Sequence, residues 1–226
     1  MHEGHRERLK QQFKNNNYSI DKWQEHNILE LLLFYSVPRV DTNETAHKLL
    51  DSFGSLAGVL DASPDALLSV EGIGNNSTVF LKLLPQIFSV YVEQKLKEDK
   101  SKRDMTNIDA RKSFFIPKFF GYSYEAVFVA CLDNRNRITA CDKLFSGTVN
   151  VSQVNLRQII EFAIRNSAAG IIIAHNHPKG TSAPSYQDIL LTKQLNEALF
   201  PFSIKLLDHI IVAENDASSL RELNQF

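Results

Sequence analysis

His175–Asp188 reads HNHPKGTSAPSYQD, and its interpretation decides what kind of domain surrounds it. The five residues before it, Gly170–Ala174 (GIIIA), are an apolar run of the length of a buried β-strand. In an extended chain residues i and i+2 point to the same side, so His175 and His177 can aim both imidazoles at one point. Pro178 ends the strand and Gly180 lets the backbone turn. Ser185 then opens a helical stretch, QDILLTKQLNEAL, whose first turn carries Asp188. Two imidazoles and one carboxylate are a ligand set for a zinc ion that keeps one coordination position open. An open position on zinc is where water is activated for hydrolysis. Plainer readings explain parts of the segment. The histidines could simply hydrogen-bond, and Ser185-x-x-Asp188 also matches a helix capping box, in which Asp188 would only satisfy backbone donors. Neither explains why a strand-end His-x-His, a Pro–Gly turn and a Ser-x-x-Asp helix start occur together, so the metal reading is preferred.

Outward from this segment the chain has two textures. From Ile28 to Val92 the pattern is mostly helical. ILELLLFYSV is apolar and ends at Pro38, and Asp41 or Thr42 is placed to cap TNETAHKLLDSF, which stops at Gly54. Ser63-Pro64 starts PDALLSV with proline at the first helical position. Glu71–Asn75 is a glycine-rich turn, and Ser77–Leu96 is a long apolar-periodic helix. Lys97–Asp104 (KEDKSKRD) has no apolar residue and reads as a linker. Beyond it strands and helices mix. The expected organisation is a helical domain over 1–98, a linker over 99–106, and a zinc-site domain over 107–226. The expected fold class is α + α/β: an all-helical first part, then a mixed β-sheet flanked by helices.

A chain of 226 residues that is 43% hydrophobic, with 15 Phe, has material for a substantial core. No apolar stretch reaches the roughly 18 residues of a membrane span. The segment MHEGHRERLKQQF is charged and lacks an apolar signal core, so a cytoplasmic location is expected. Cys131 and Cys141 give no disulfide framework. They fall on two strands, VFVACLD and RITACDKLF, paired through a turn at Asn134–Asn136, and are expected as reduced thiols. The 25 basic and 26 acidic residues nearly balance. The part up to Met105 carries a net −2 and the remainder +1, so neither shows the basic excess of a nucleic-acid footprint. Arg6, Arg8 and Lys10 alternate with Glu3 and Glu7 and read as a solvated face.

The segment His175-x-His177-Pro178, six residues, then Ser185-x-x-Asp188 resembles the signature of the JAMM/MPN-type metalloprotein domain. With Asn176, Gly180 and Pro184 it resembles the bacterial RadC family in particular. Further stretches agree with that family: GHRERL at Gly4–Leu9, PRVDTN at Pro38–Asn43, FGSL at Phe53–Leu56, GIG at Gly72–Gly74, SGT at Ser146–Thr148 and LDHIIV at Leu207–Val212. The likeness covers nearly the whole chain. It implies a JAMM/MPN-type sheet and one Zn2+ per chain, held by His175, His177 and Asp188. The pattern also needs an upstream Glu at the first strand of the domain, and YEAVFVACLD at Tyr124–Asp133 offers Glu125. That carboxylate would take a proton from activated water and deliver it to a leaving amine. Ser185 would donate a hydrogen bond to the developing oxyanion. Glu161, in NLRQIIEFAIRNSAA, is the competing carboxylate, but it lies in a helix and not at the first strand. His209 is a candidate to buttress a zinc ligand from behind, although a core histidine bonded to backbone is an equally good reading. The family often has Ser where Lys179 stands, and Glu where Gln158 follows Arg157. His2, His5, His26 and His47 have no assigned role.

Gly72-Ile73-Gly74 between short helices resembles a helix-hairpin-helix, in which backbone amides at a helix start hold a DNA phosphate. Gly72 and Gly74 are the candidate phosphate contacts. The following Asn75-Asn76-Ser77-Thr78 lacks the Lys or Arg often found there, and a tight turn with no DNA role is the alternative. Two functional classes follow. One is a zinc metallopeptidase or isopeptidase acting on a protein or peptide. The other is a DNA-associated repair or docking protein, in keeping with the family's traditional description, with only weak DNA binding through the helical part. A nuclease ranks third, since one His2Asp site is less typical of phosphodiester cleavage than a two-metal cluster. Nothing in the sequence indicates an oligomeric state.

Overall fold

The structure, a computed structural model, describes residues 3–38, 40–98, 104–146, 155–178, 180–214 and 216–226. His2, Gly147, Thr148 and Lys179, and residues 99–103 of the expected linker, lie outside the described residues. The chain divides into two compact units, Met1–Ile87 and Phe88–Phe226.

The first unit is helical. Helix α1 spans Glu3–Asn15, α2 Glu25–Ser36, α3 Asn43–Phe53, α4 Leu56–Asp61 and α5 Pro64–Leu68, and α6, Asn75–Glu98, begins in this unit. Helix α2 stops where expected, because Val37 precedes Pro38 and is pushed to an extended conformation, φ −121°. Gly54 closes α3 in the left-handed region at φ 80°. Ser55 and Ser63 cap α4 and α5 by accepting the backbone N–H of Gly58 and Ala66. Leu29, Leu33, Leu49, Val59, Leu67 and Leu81 form the buried core.

Arg6 departs from the solvated face expected of the basic cluster. Its guanidinium lies over the Phe34 ring and donates to the Val37 and Val40 carbonyls at 2.5 Å each. Carbonyls at the end of a helix lack intrahelical partners, and a cation is favoured there. His5 places Nε2 2.7 Å from the buried carboxylate of Glu30, and His26 stacks on His47 at 4.5 Å.

The second unit holds α7 (Ile108–Phe115) and strands β1 (Ala126–Leu132) and β2 (Ile138–Ser146). Helix α8 (Leu156–Arg165), β3 (Gly170–Asn176), α9 (Tyr186–Leu199), β4 (Lys205–Ala213) and β5 (Asp216–Ser219) follow. The sheet order is β2-β1-β3-β4-β5. Only the β3–β4 pairing is parallel; the others are antiparallel, so the sheet is mixed as expected. Alternation along the strands sorts side chains onto two cores. Val127, Val129, Ile171 and Ile173 pack with Ile159 and Phe162 of α8 and Leu191 and Leu195 of α9. Ala130, Ile172, Ala174 and Ile210 pack on the other face with Phe115 and Phe119.

The same alternation separates the cysteines. Cys131 pairs with Ala140, and Cys141 with Ala130, so the thiols face opposite sides of the sheet and no disulfide joins them. Burial pushes the Cys131 thiol up to about 11. At the end of the expected linker, Asp104 bridges to Arg137, and Met105 is fully buried and donates its N–H to the Asn136 carbonyl.

Candidate metal centre

His175 lies on the α8/α9 face of β3, the face shared by Ile171 and Ile173, because residues two apart share a side. The extended pairing continues one residue past the strand, for the His177 N–H donates to the Val212 carbonyl at 2.8 Å. This keeps His177 in phase with His175. Their Nε2 atoms are 3.0 Å apart. Helix α9 starts against the same face and brings Asp188 to them: Oδ1 is 3.2 Å from His175 Nε2, and Oδ2 is 3.6 Å from His177 Nε2. His175 and Asp188 are buried, whereas the His177 side chain keeps 20% exposure, which leaves the group open on that side.

The capping and ligand readings of Asp188 hold together, because its two oxygens differ. Ser185 donates its N–H and its hydroxyl to Oδ2 at 2.7 Å each, and the Asp188 N–H returns to Ser185 Oγ at 3.2 Å, a complete capping box. Oδ1 is left facing His175. The Ser185 hydroxyl hydrogen is therefore engaged with Asp188, and donating it to another oxygen requires that bond to be exchanged.

The protonation of the site follows from its partners. His177 Nδ1 is 2.8 Å from the Thr181 carbonyl, which only accepts, so Nδ1 carries the hydrogen and a neutral ring presents a bare Nε2 to the site. The hydrogen bond to Asp188 holds the His177 pKa above its ordinary value, and the charge of Glu125 adds to the shift. Burial disfavours the charge on Asp188, yet the hydrogen bonds from His175 and His177 outweigh it and keep this carboxyl below the usual carboxylate range. His209 is held well below the usual imidazole value by burial first and by neighbouring His175 second.

These donors fit zinc. A tetrahedral ion with arms of about 2.0–2.1 Å needs its donors about 3.3 Å apart. His175 Nε2 lies 3.0 Å from His177 Nε2 and 3.2 Å from Asp188 Oδ1, close to that value, while the 3.6 Å approach of Asp188 to His177 is through the other oxygen, Oδ2. Among the described residues His175, His177 and Asp188 are a group able to hold a metal ion.

Glu125 is half-buried and directly precedes β1. It is held from both sides by Asn176, whose carboxamide accepts the Ala126 N–H at 2.8 Å and donates to the Tyr124 carbonyl at 3.1 Å. Asn176 thus replaces the backbone pairing that β1 lacks at its start on the β3 side. Glu161, the competing carboxylate, lies exposed on α8 and pairs with Arg157 at 2.7 Å. Sequence reasoning named Asn176 only as part of the family pattern, with no role, and missed the Thr181 carbonyl. Asn176 had a signal, since a polar residue between two ligands must point to the opposite face. The Thr181 contact is a backbone contact and leaves no residue signature. In the helical unit Gly72 has φ 91°, and a Cβ there would meet Thr45 Oγ1 at 2.5 Å, while the space beside Gly74 is open. The helix-hairpin-helix character of this turn stays an expectation.

Residues 105–225 match the RadC-like JAB domain family. The chain belongs to the RadC family. A UPF0758 protein of Fusobacterium nucleatum is 38% identical over 224 residues, covering 97% of this chain and 96% of that relative. UPF0758 proteins of Haemophilus influenzae and a Polaromonas species are each 32% identical, over 88% and 87% of this chain and 88% and 86% of their own lengths. The RadC-type JAB domain accounts for the mixed sheet and carries the three ligand candidates. Among the described residues no helix is long and apolar enough to cross a membrane.

Proposed function

We propose that this RadC-family chain is a zinc-dependent hydrolase that cleaves a peptide or isopeptide bond in a protein or peptide substrate. The observation that supports it most is the meeting of His175, His177 and Asp188 on one face, with Asp188 Oδ1 beside His175 Nε2 and the His177 side chain partly exposed. A bound zinc ion would polarise the scissile carbonyl and make water nucleophilic near neutral pH. The chain's own residues then divide the work. Glu125, held at the start of β1 by Asn176, takes the proton of the attacking water and returns it to the leaving amine. Ser185 exchanges its bond to Asp188 for one to the developing oxyanion. His209 buttresses His175 from behind. Glu125→Gln should abolish turnover in a peptide and isopeptide screen while zinc stays bound; undiminished turnover would remove Glu125 from this role.

A second reading makes the domain a docking module on a weakly DNA-associated repair protein. The left-handed Gly72 and the open Gly74 before α6 favour it. It requires DNA affinity that falls steeply with salt, and no measurable binding at low salt would dismiss it.

A further inference from the structure

Behind His175 a polar chain runs through the core of the second unit. Thr192 Oγ1, on α9, stands 2.5 Å from the Asp188 backbone carbonyl and 2.6 Å from His209 Nδ1. His209 Nε2, on β4, is 2.8 Å from His175 Nδ1. Thr192, His209 and His175 are at most 1% exposed. These distances fix the hydrogens between the Asp188 carbonyl and His175 Nδ1. A carbonyl only accepts, and a hydroxyl has one hydrogen to give. Two oxygens 2.5 Å apart repel unless a hydrogen lies between them, so the Thr192 hydrogen points at the Asp188 carbonyl. The remaining Thr192 lone pair needs a donor, which is the Nδ1–H of His209. His209 then has only a lone pair at Nε2, and it accepts the Nδ1–H of His175. The neutral His175 ring then presents a bare Nε2 to His177 and Asp188.

We propose that Thr192 and His209 are positioning residues that lock His175 in its Nδ1–H tautomer, so that a threonine of α9 sets the ligand state of a histidine of β3. The chain begins on the carbonyl of Asp188 and ends on His175. It therefore couples two ligands that come from different elements. A strand-end histidine without this chain would divide between tautomers, only one of which presents Nε2 to a metal. The consequence for metal affinity rests on the zinc reading above; the tautomer itself does not.

Long-range 1H–15N spectra of the imidazoles in the wild-type chain, metal-free and with added Zn2+, test the tautomer directly. His209 should show a protonated Nδ1 and a bare Nε2 in both. A protonated His209 Nε2 overturns the proposal, whether or not the protein binds zinc. The affinity consequence is read with Thr192→Val, which keeps the shape and removes the hydroxyl, and with Thr192→Ser, which restores it. By competition with a chromophoric chelator, Thr192→Val should bind Zn2+ about tenfold or more weakly, with an altered visible spectrum of its Co2+ form, and Thr192→Ser should return to within about twofold of wild type. Wild-type affinity and an unchanged Co2+ spectrum in a folded Thr192→Val also overturn it. If that variant does not fold, the wild-type spectra decide alone.

Discussion

Asp188 serves two ends with its two oxygens: Oδ2 closes the start of α9, and Oδ1 faces His175. The double use makes Ser185 separable from the ligands. Ser185→Ala removes the oxygen that caps the Asp188 N–H and the hydroxyl that holds Oδ2. It should lower stability by about 1 kcal/mol in urea unfolding, as for other lost N-caps, while leaving a zinc-binding donor set. A loss of several kcal/mol would mean that Ser185 does more than cap. The ligand histidines were legible because strand alternation is fixed by geometry and needs no tertiary knowledge. Asn176 and Thr192 were not, since their partners are 52 and 17 residues away, and only the assembled sheet brings them together.

Strand β4 carries its functional histidine beside a buried anchor. Asp208 takes a hydrogen bond from Arg111 of α7 at 2.8 Å, one from the Ser219 hydroxyl, whose oxygen lies 2.9 and 2.7 Å from the two carboxylate oxygens, and the N–H groups of His209 and Arg221. Both Arg111 and Asp208 are shielded from solvent. Removing one member of a buried pair leaves the other charged and unpaired, so Asp208→Ala should cost about 3–5 kcal/mol by denaturant unfolding. A cost below 1 kcal/mol would show that the pair is not the anchor described here. Elements with strong punctuation were readable in advance: α2 before Pro38, α3 before Gly54, α5 from Pro64, β3 before Pro178. Helix α1 was not, because its pattern is mostly charged and its ordering depends on what His5, Arg6 and Leu9 reach in α2. Helix α7 was hidden likewise, since it is eight residues long and relies on Phe115 packing under the sheet.

At the scale of the whole molecule, protons and metal compete for the same nitrogen. The His177 pKa is raised, chiefly by its bond to Asp188, so the metal-free chain has that stabilisation in full below the unfolded imidazole value of about 6.5 and loses it as pH rises through the folded one. Asp188 is shifted down, so its share is present above the unfolded carboxyl value of about 3.9 and is lost as pH falls through the folded one. Zinc needs the neutral imidazole, and its affinity moves the opposite way to the His177 contribution. The rise in Tm on adding zinc should therefore grow from about pH 6 to about pH 8, and a pH-independent rise would contradict this competition. Most direct of all is the zinc content of the purified wild-type chain beside His177→Ala, by elemental analysis after equilibration with zinc. The account predicts one zinc per chain in the wild type and its loss in the variant. A wild type that takes up no zinc, or a variant that keeps a full equivalent, would contradict it.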